Sequence, residues 1–331
     1  MNRTKVAING FGRIGRLTAR IIIDKHPNIE IVSINDLTSS DNLAYLYNHD
    51  SNYRHNPKHI VTSTSNQIII NDQTIEVFAN REPVANQWQG IDTVLECTGK
   101  FLTTDLANLH IQAGAKKVIL SAPAKDNTIP TFVIGCNQEL IGNNQIISNA
   151  SCTTNCLAPI VKILDQSILI NSMMGITVHA ITASQVIQDA PSQKDFRDGR
   201  ASSINLIPSK TGASKAVELV VPNIKGKLNL SSLRAPIITG SYIYLVINTD
   251  KEYTKEEVNN ILQNASKILP DIIEYSTEEL VSTDIIGNSH SVIVDSKLTE
   301  TIQKQIKICL WYDNEWGYSN RLADLLHLFK K

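Results

Sequence analysis

The run Gly10-Phe11-Gly12-Arg13-Ile14-Gly15 constrains this chain more than any other feature. It follows a strand-like segment, Lys5–Asn9, and opens a helix-periodic one, Arg13–Asp24. A second strand-like segment, Glu30–Asn35, ends beside Asp36, 21 residues past Gly15. Alone, three spaced glycines are a weak signal. Between a strand and a helix, with an acidic residue at this distance, they meet the context of a dinucleotide fingerprint. Missing Cβ atoms let backbone approach a pyrophosphate, and a helix start offers free N–H groups and a positive dipole end. Asp36 is placed to accept hydrogen bonds from a ribose; a solvated loop carboxylate is the other reading.

The first third continues the alternation. Thr93–Glu96, Lys117–Leu120 and Thr131–Ile134 are short and β-rich, and Asp105–Ala113 carries Leu106, Leu109 and Ala113 at helical spacing. Strands alternating with helices predict a parallel sheet covered on both faces. Beyond Ser151 the pattern changes. Leu157, Ile160, Val161 and Leu164 predict a helix starting close to Cys152, which Pro159 should kink or start irregularly. Ile176–Ala180, Ser241–Thr249 and Lys304–Trp311 read as longer strands, and Glu256–Leu269 as an amphipathic helix. Residues 182–210 read as a long functional loop, and Leu322, Leu325, Leu326 and Phe329 as one face of a C-terminal helix.

A chain of 331 residues with this change of pattern predicts two domains. Hydrophobic residues make up 42%, enough to fill two cores. The formal net charge of -1 gives no bulk attraction to nucleic acid or membrane, and neither is expected as a partner. No apolar run is long enough to span a bilayer, and the Val6-Ala7-Ile8 stretch is too short for a signal-peptide core. Five cysteines, an odd number in a large chain, make a poor disulfide framework and point to the reducing cytoplasm.

One of those cysteines stands at a helix start. In Ser151-Cys152-Thr153-Thr154-Asn155-Cys156, the dipole would stabilise the Cys152 thiolate. A buried inert cysteine is the plainer alternative. Cys156, one turn on, reads as a packed small residue, and no metal site is expected. Thiol chemistry needs a proton acceptor. His179, ending the strand-like run Ile176-Thr177-Val178, is a candidate through Cys152 alone, since strand-end histidines are more often structural.

These segments resemble a known family. SNASCTTNC at 148–156 is similar to the active-site signature of phosphorylating glyceraldehyde-3-phosphate dehydrogenases. NGFGRIGR at 9–16, SAP at 121–123, TVHAIT at 177–182, KTGASKA at 210–216 and WYDNEWGYSNR at 311–321 resemble the same family, in order. The likeness runs from about residue 5 to about 326. It implies an α/β fold: a Rossmann-type dinucleotide-binding domain at 1–151 and 315–331, and an α+β catalytic domain with a mostly antiparallel or mixed sheet at 152–314. It also implies a homotetramer whose loop at roughly 182–205 lies near a neighbouring subunit's cofactor.

The resemblance further implies roles. Cys152 would be the nucleophile and His179 the base, acting on D-glyceraldehyde 3-phosphate with NAD and inorganic phosphate. Arg234 would stand between two anion sites, Thr182 serving one and Ser151, Thr153, Thr211 and Gly212 the other. Gly10, Phe11, Gly12, Arg13, Ile14, Gly15, Asp36, Arg81, Thr98, Gly99, Ser121, Asn314 and Tyr318 match cofactor positions, Asn314 that of the nicotinamide amide. The chain departs from the family at His49–Arg54, where Tyr-Asp-Ser-x-His-Gly is usual, and at Ala235–Ser241. Ser184 and Glu274 also differ from the usual threonine and glycine. The rival readings are an erythrose-4-phosphate dehydrogenase and a weakly catalytic copy serving in binding or redox sensing. Ser121-Ala122-Pro123 and Arg197-x-x-Arg200 look more like the glyceraldehyde-3-phosphate enzymes.

Overall fold

The computed structural model describes residues 3–193 and 195–329. The chain divides into two compact units, 1–132 with 138–150 and 319–331, and 133–137 with 151–318.

The first unit is built on β1 (Thr4–Asn9), α1 (Arg13–Lys25), β2 (Ile29–Asn35), α2 (Ser40–Asn48), β3 (Val61–Ser63), β4 (Gln67–Ile70), β5 (Gln73–Phe78), β6 (Thr93–Glu96), α3 (Thr104–Gln112), β7 (Lys117–Leu120) and β8 (Ile146–Ser148). They form one sheet in the order β3-β4-β5-β2-β1-β6-β7-β8. The run from β5 to β8 is parallel, and β3 and β4 add an antiparallel edge. Val6, Ala7, Ile8, Val94, Leu95, Val118 and Ile119 are fully buried, as strands covered on both faces require. Thr131–Ile134, expected as a strand, is not one: Thr131 makes a single bridge to Ser148, and the outer parallel strand is β8 instead. The chain bends through 125–129 and turns again at 134–137, so the ladder does not extend.

The second unit holds α4 (Cys152–Ser167), β9 (Ile170–Ala180), β10 (Ile207–Ser209), α5 (Ala213–Val220), β11 (Leu228–Ala235), β12 (Ser241–Thr249), α6 (Lys255–Ile268), β13 (Ile273–Ser276), β14 (Val292–Asp295), β15 (Glu300–Ile302) and β16 (Gln305–Tyr312). The sheet order is β10-β11-β9-β12-β16-β14-β13, with β15 against β16. It is mixed: β9 runs parallel to β11 and antiparallel to β12. Helix α6 is fastened by a capping box between Thr254 and Glu257 and buries Val258, Leu262 and Ala265. Helix α4 runs through Pro159 without interruption. The proline forgoes one backbone bond, and burial of Leu157, Ile160, Val161 and Leu164 around it holds the helix. The expected loop at 182–210 contains a 3₁₀ turn at Phe196–Gly199 and ends in β10, while its Lys194 lies outside the described residues. A last helix, α7 (Trp316–Leu328), starts in the second unit and ends in the first. Leu322, Leu325, Leu326 and Phe329 are buried there.

The departure at His49–Arg54 has a backbone signature. Asp50 accepts from the N–H groups of Asn52 and Tyr53 and pairs with Arg13, and burial is offset enough to hold its carboxyl below the usual range. Arg54 closes the turn at φ 61°, where a side chain costs about 1 kcal/mol or more. Its side chain is exposed, and its contacts are made by the backbone, the N–H donating to the Asp50 carbonyl and the carbonyl accepting from Arg20. Arg54→Gly should therefore raise stability by about 0.5–1 kcal/mol after the loss of unfolded-state restriction. Urea unfolding measures this; a lower midpoint in the variant would contradict the strain.

Candidate functional site

Three glycines of the first unit do three jobs. Gly10 has φ 94°, and a Cβ there would lie 2.8 Å from Thr98. Gly15 packs so closely that a Cβ would meet the Gly10 carbonyl at 2.2 Å. Gly12, at the start of α1, has nothing within 4 Å of where a Cβ would be. Tight turn, close packing and an open backbone at a helix start are what a pyrophosphate requires. Beside them is a cavity of about 290 Å³ lined by Gly10, Gly12, Asp36, Arg81 and Thr98, together with Asn9, Asn35, Asn80 and Lys100. The Asp36 carboxylate accepts from Phe11 N (2.8 Å) and Thr38 N (3.0 Å), which aims it and leaves lone pairs for further donors.

The other expected cofactor residues are placed unequally. The Phe11 ring is buried and stacked against Tyr47, which leaves its backbone alone for a ligand. The Arg13 guanidinium is committed to Asp50 at 2.7 Å and lies over Tyr53. Ile14 is half-buried in the first turn of α1, and Ser121 is half-buried just past β7. Gly99 is exposed at φ 70°. In the second unit, Tyr318 is buried in α7, and Asn314 is buried with its Oδ1 accepting from Ser241 Oγ at 2.9 Å.

The second unit brings Cys152, His179 and Arg234 together. Ala150, at φ 55°, turns the chain from β8 toward α4. Ser151 caps the helix, its Oγ accepting from Thr154 N at 3.2 Å. That leaves Cys152 as the first helical residue, its Sγ 3.4 Å from His179 Nε2. His179 and Arg234 are register partners on β9 and β11. His179 Nδ1 lies 2.7 Å from the Ala180 carbonyl and 2.6 Å from an Arg234 guanidinium nitrogen. One ring nitrogen carries at most one hydrogen, so Nδ1 either donates to Ala180 or accepts from Arg234. In the first state Nε2 offers a lone pair to the thiol. In the second it carries a hydrogen and donates to a thiolate.

Electrostatics follow from burial. Desolvation, then the Arg234 charge, pushes the His179 imidazole down to about 4. Burial pushes the Cys152 thiol up, while Arg234 and hydrogen bonds from Thr153 pull it back. Cys156 is driven well up by burial and is a packed thiol. The Arg234 Nε is buried and finds no partner among the described residues, a donor left for an oxyanion.

The remaining anion-site candidates divide. Thr211 and Gly212 sit at the start of α5, Gly212 with open space around it. Thr182 is exposed, its hydroxyl tied to Ser184 at 2.9 Å. The Thr153 hydroxyl turns inward to Tyr312 Oη at 3.0 Å, so only its backbone is available. Tyr312 itself was not singled out from the sequence, although it lies within the WYDNEWGYSNR segment. Its ring packs edge-on to His179, and its hydroxyl also meets Thr177.

A dinucleotide-binding fold with this glycine loop places the chain in the class of NAD-dependent dehydrogenases. The glyceraldehyde 3-phosphate dehydrogenase family models match over residues 4–104, the NAD binding domain, and 151–314, the C-terminal domain. The chain belongs to this family. It is 49% identical over 333 residues to glyceraldehyde-3-phosphate dehydrogenase of Thermotoga maritima, covering 99% of each chain. The same enzyme of Priestia megaterium is 46% identical over 327 residues, 97% of this chain and 96% of the other. Glyceraldehyde-3-phosphate dehydrogenase 1 of Kluyveromyces lactis is 43% identical over 327 residues, 97% and 98% of the two.

Because Arg234 lowers both partners, Arg234→Leu should move the pH profile of Cys152 alkylation by iodoacetamide to higher pH. The measurement is the second-order rate against pH on cofactor-free protein. An unshifted or downward-shifted profile would remove Arg234 from the electrostatic account.

Proposed function

We propose that the protein oxidises D-glyceraldehyde 3-phosphate to 1,3-bisphosphoglycerate, with Cys152 as nucleophile and His179 as base. The observation that carries this is the 3.4 Å Sγ–Nε2 contact at the start of α4, with Arg234 against the same imidazole. With Nδ1–H held by the Ala180 carbonyl, His179 Nε2 takes the Cys152 proton, the thiolate attacks the aldehyde carbon, and the proton passes to the carbonyl oxygen to give a hemithioacetal. His179 Nε2 takes the hydroxyl proton as the carbon is oxidised, leaving a thioester on Cys152. NAD, when bound, supplies the hydride acceptor. Inorganic phosphate then attacks the thioester carbonyl and releases the acyl phosphate, returning Cys152 as thiolate.

Arg234 serves both the substrate phosphate and the attacking phosphate in this reading, supported by its buried, unpartnered Nε. Thr182 assists one anion, and the second falls to Ser151, Thr211, Gly212 and the Thr153 backbone. Gly10, Gly12, Gly15, Asp36, Arg81, Thr98, Gly99 and Ser121 hold the adenosine and pyrophosphate, and Asn314 and Tyr318 the nicotinamide end. Residues 1–151 and 315–331 are assigned as the NAD-binding domain and 152–314 as the catalytic one, an arrangement close to the two compact units. A homotetramer is supported by a bare sheet face on which Met174 pairs with Val246, Ile176 with Tyr244, and Val178 with Tyr242. Exposed Ile187, Phe196 and Ile204 in the 182–205 loop add apolar surface for a neighbouring subunit. All five cysteines are free thiols, which supports a reducing, cytoplasmic setting.

Two measurements test the reading. Nicotinamide absorbance with D-glyceraldehyde 3-phosphate should rise only when phosphate or arsenate is present, and Cys152→Ala should abolish turnover. Turnover in that variant would sink the thioester route, and faster use of erythrose 4-phosphate would reassign the substrate. Secondly, kcat/KM should favour NAD over NADP by about two decades, since a 2′-phosphate would displace the charge-assisted bonds that Asp36 offers a ribose. Asp36→Gly should narrow that gap. Equal use of both cofactors by the wild type would refute the role of Asp36.

A further inference from the structure

A polar ladder runs beneath the cofactor cavity across the carboxyl ends of the parallel strands. Asn80 N donates to Asn35 Oδ1 at 2.9 Å. Asn35 Nδ2 donates to Asn9 Oδ1 at 2.7 Å, and Asn9 Nδ2 to Glu96 Oε2 at 2.6 Å. Thr98 N donates to Glu96 Oε1 at 2.8 Å, and the Thr98 hydroxyl reaches the same oxygen. Asn9, Asn35, Asn80 and Thr98 all line the cavity. Glu96 is fully buried, behind it.

Each amide in such a ladder has two orientations, and something must choose. A carboxylate accepts only, so it forces Asn9 to point its NH₂ inward. Asn9 Oδ1 then faces Asn35, whose NH₂ must meet it, and Asn35 Oδ1 is left for Asn80 N. Glu96 is itself fixed from behind. His110 is fully buried, its Nε2 3.0 Å from Glu96 Oε2. Trp88 Nε1 donates to His110 Nδ1 at 3.1 Å. An indole N–H only donates, so Nδ1 is the acceptor and Nε2 carries the hydrogen. The ladder is thus fixed at one end by Trp88 and Glu96 and at the other by Asn80, whose N–H and carbonyl both bond the Asn35 amide.

We infer that Glu96, oriented by His110 and Trp88, is a positioning residue for the cofactor, fixing which donors and acceptors the cavity wall presents. Glutamine at 96 would have no satisfied orientation. Its NH₂ would face either the backbone N–H of Thr98, which cannot turn, or His110 Nε2–H, whose tautomer Trp88 fixes. A flip of the Asn9 amide would set its NH₂ against that of Asn35, which the Asn80 backbone holds, so the strain falls on the cavity wall.

The inference rests on NAD as the occupant of this cavity, and binding of NAD by wild-type protein tests that premise separately. The experiment is titration calorimetry with NAD on Glu96→Gln, His110→Phe and His110→Gln, with kcat at saturating NAD and the Cys152 alkylation rate of cofactor-free protein. Glutamine at 110 keeps one donor and one acceptor and should retain affinity. Glu96→Gln and His110→Phe should each weaken NAD roughly tenfold, with kcat and alkylation near wild type. A merely structural role would lower the thermal midpoint without that split. The idea is overturned if both weakened variants bind NAD as wild type does, or if His110→Gln fails as badly as His110→Phe. Should Glu96→Gln not fold, the two His110 variants decide the matter.

Discussion

Strand β1 lies between β2 and β6, and the functional layout of the first unit depends on that placement. The chain leaves β1 to one side through α1 and returns later to the other side. At such a reversal the loops after neighbouring strands diverge and leave a crevice at the carboxyl ends. Gly10 follows β1, Asp36 follows β2 and Thr98 follows β6, so three loops distant in sequence meet there. None of these residues creates the crevice. The strand order does, and the residues furnish it.

The second unit meets a different demand, that of holding a half-buried thiol against an imidazole and a guanidinium. Burial drives both Cys152 and His179 toward their neutral forms. Thiolate character then has to come from fixed partners: the start of α4, the Thr153 hydrogen bonds and the Arg234 guanidinium. The same guanidinium opposes a charged imidazole. Arg234 therefore disfavours the imidazolium, and where Nδ1 donates to the Ala180 carbonyl the neutral ring keeps an Nε2 lone pair for a proton. An oxyanion engaging Arg234 would soften that bias, tying the basicity of His179 to whether the guanidinium holds an anion.

Much of this was legible in the sequence. Strands β6, β7 and β12 fall where apolar alternation placed them, and α4 begins at the cysteine itself. Glycine spacing carried the dinucleotide reading because each glycine answers a local steric demand. Cys152 was singled out by its place before a helix, His179 only through it, and Arg234 only through the family resemblance; the structure brings the three side chains together. The small ladder β3-β4-β5 was not read, since its strands of a few residues are mostly half-exposed and show no clean period. Glu96 and Asn9 were invisible as a pair because they are 87 residues apart and only sheet pairing joins them. Thr153 shows the converse limit. A motif places a residue but not the direction of its hydroxyl, and Tyr312, far along the chain, takes it inward.

Helix α7 gives the first unit an unusual order of assembly. Its buried face, Leu322, Leu325 and Leu326, belongs to a unit whose sheet is already complete at β8. Lys25 on α1 reaches Asn320, and Lys117 on β7 reaches the Phe329 carbonyl. On a ribosome the sheet would emerge first and wait, one apolar patch uncovered, while the whole second unit was synthesised. Closure of the nucleotide-binding half therefore waits until the second unit has been made, and a nascent chain that stops short of α7 leaves its earliest strands uncovered.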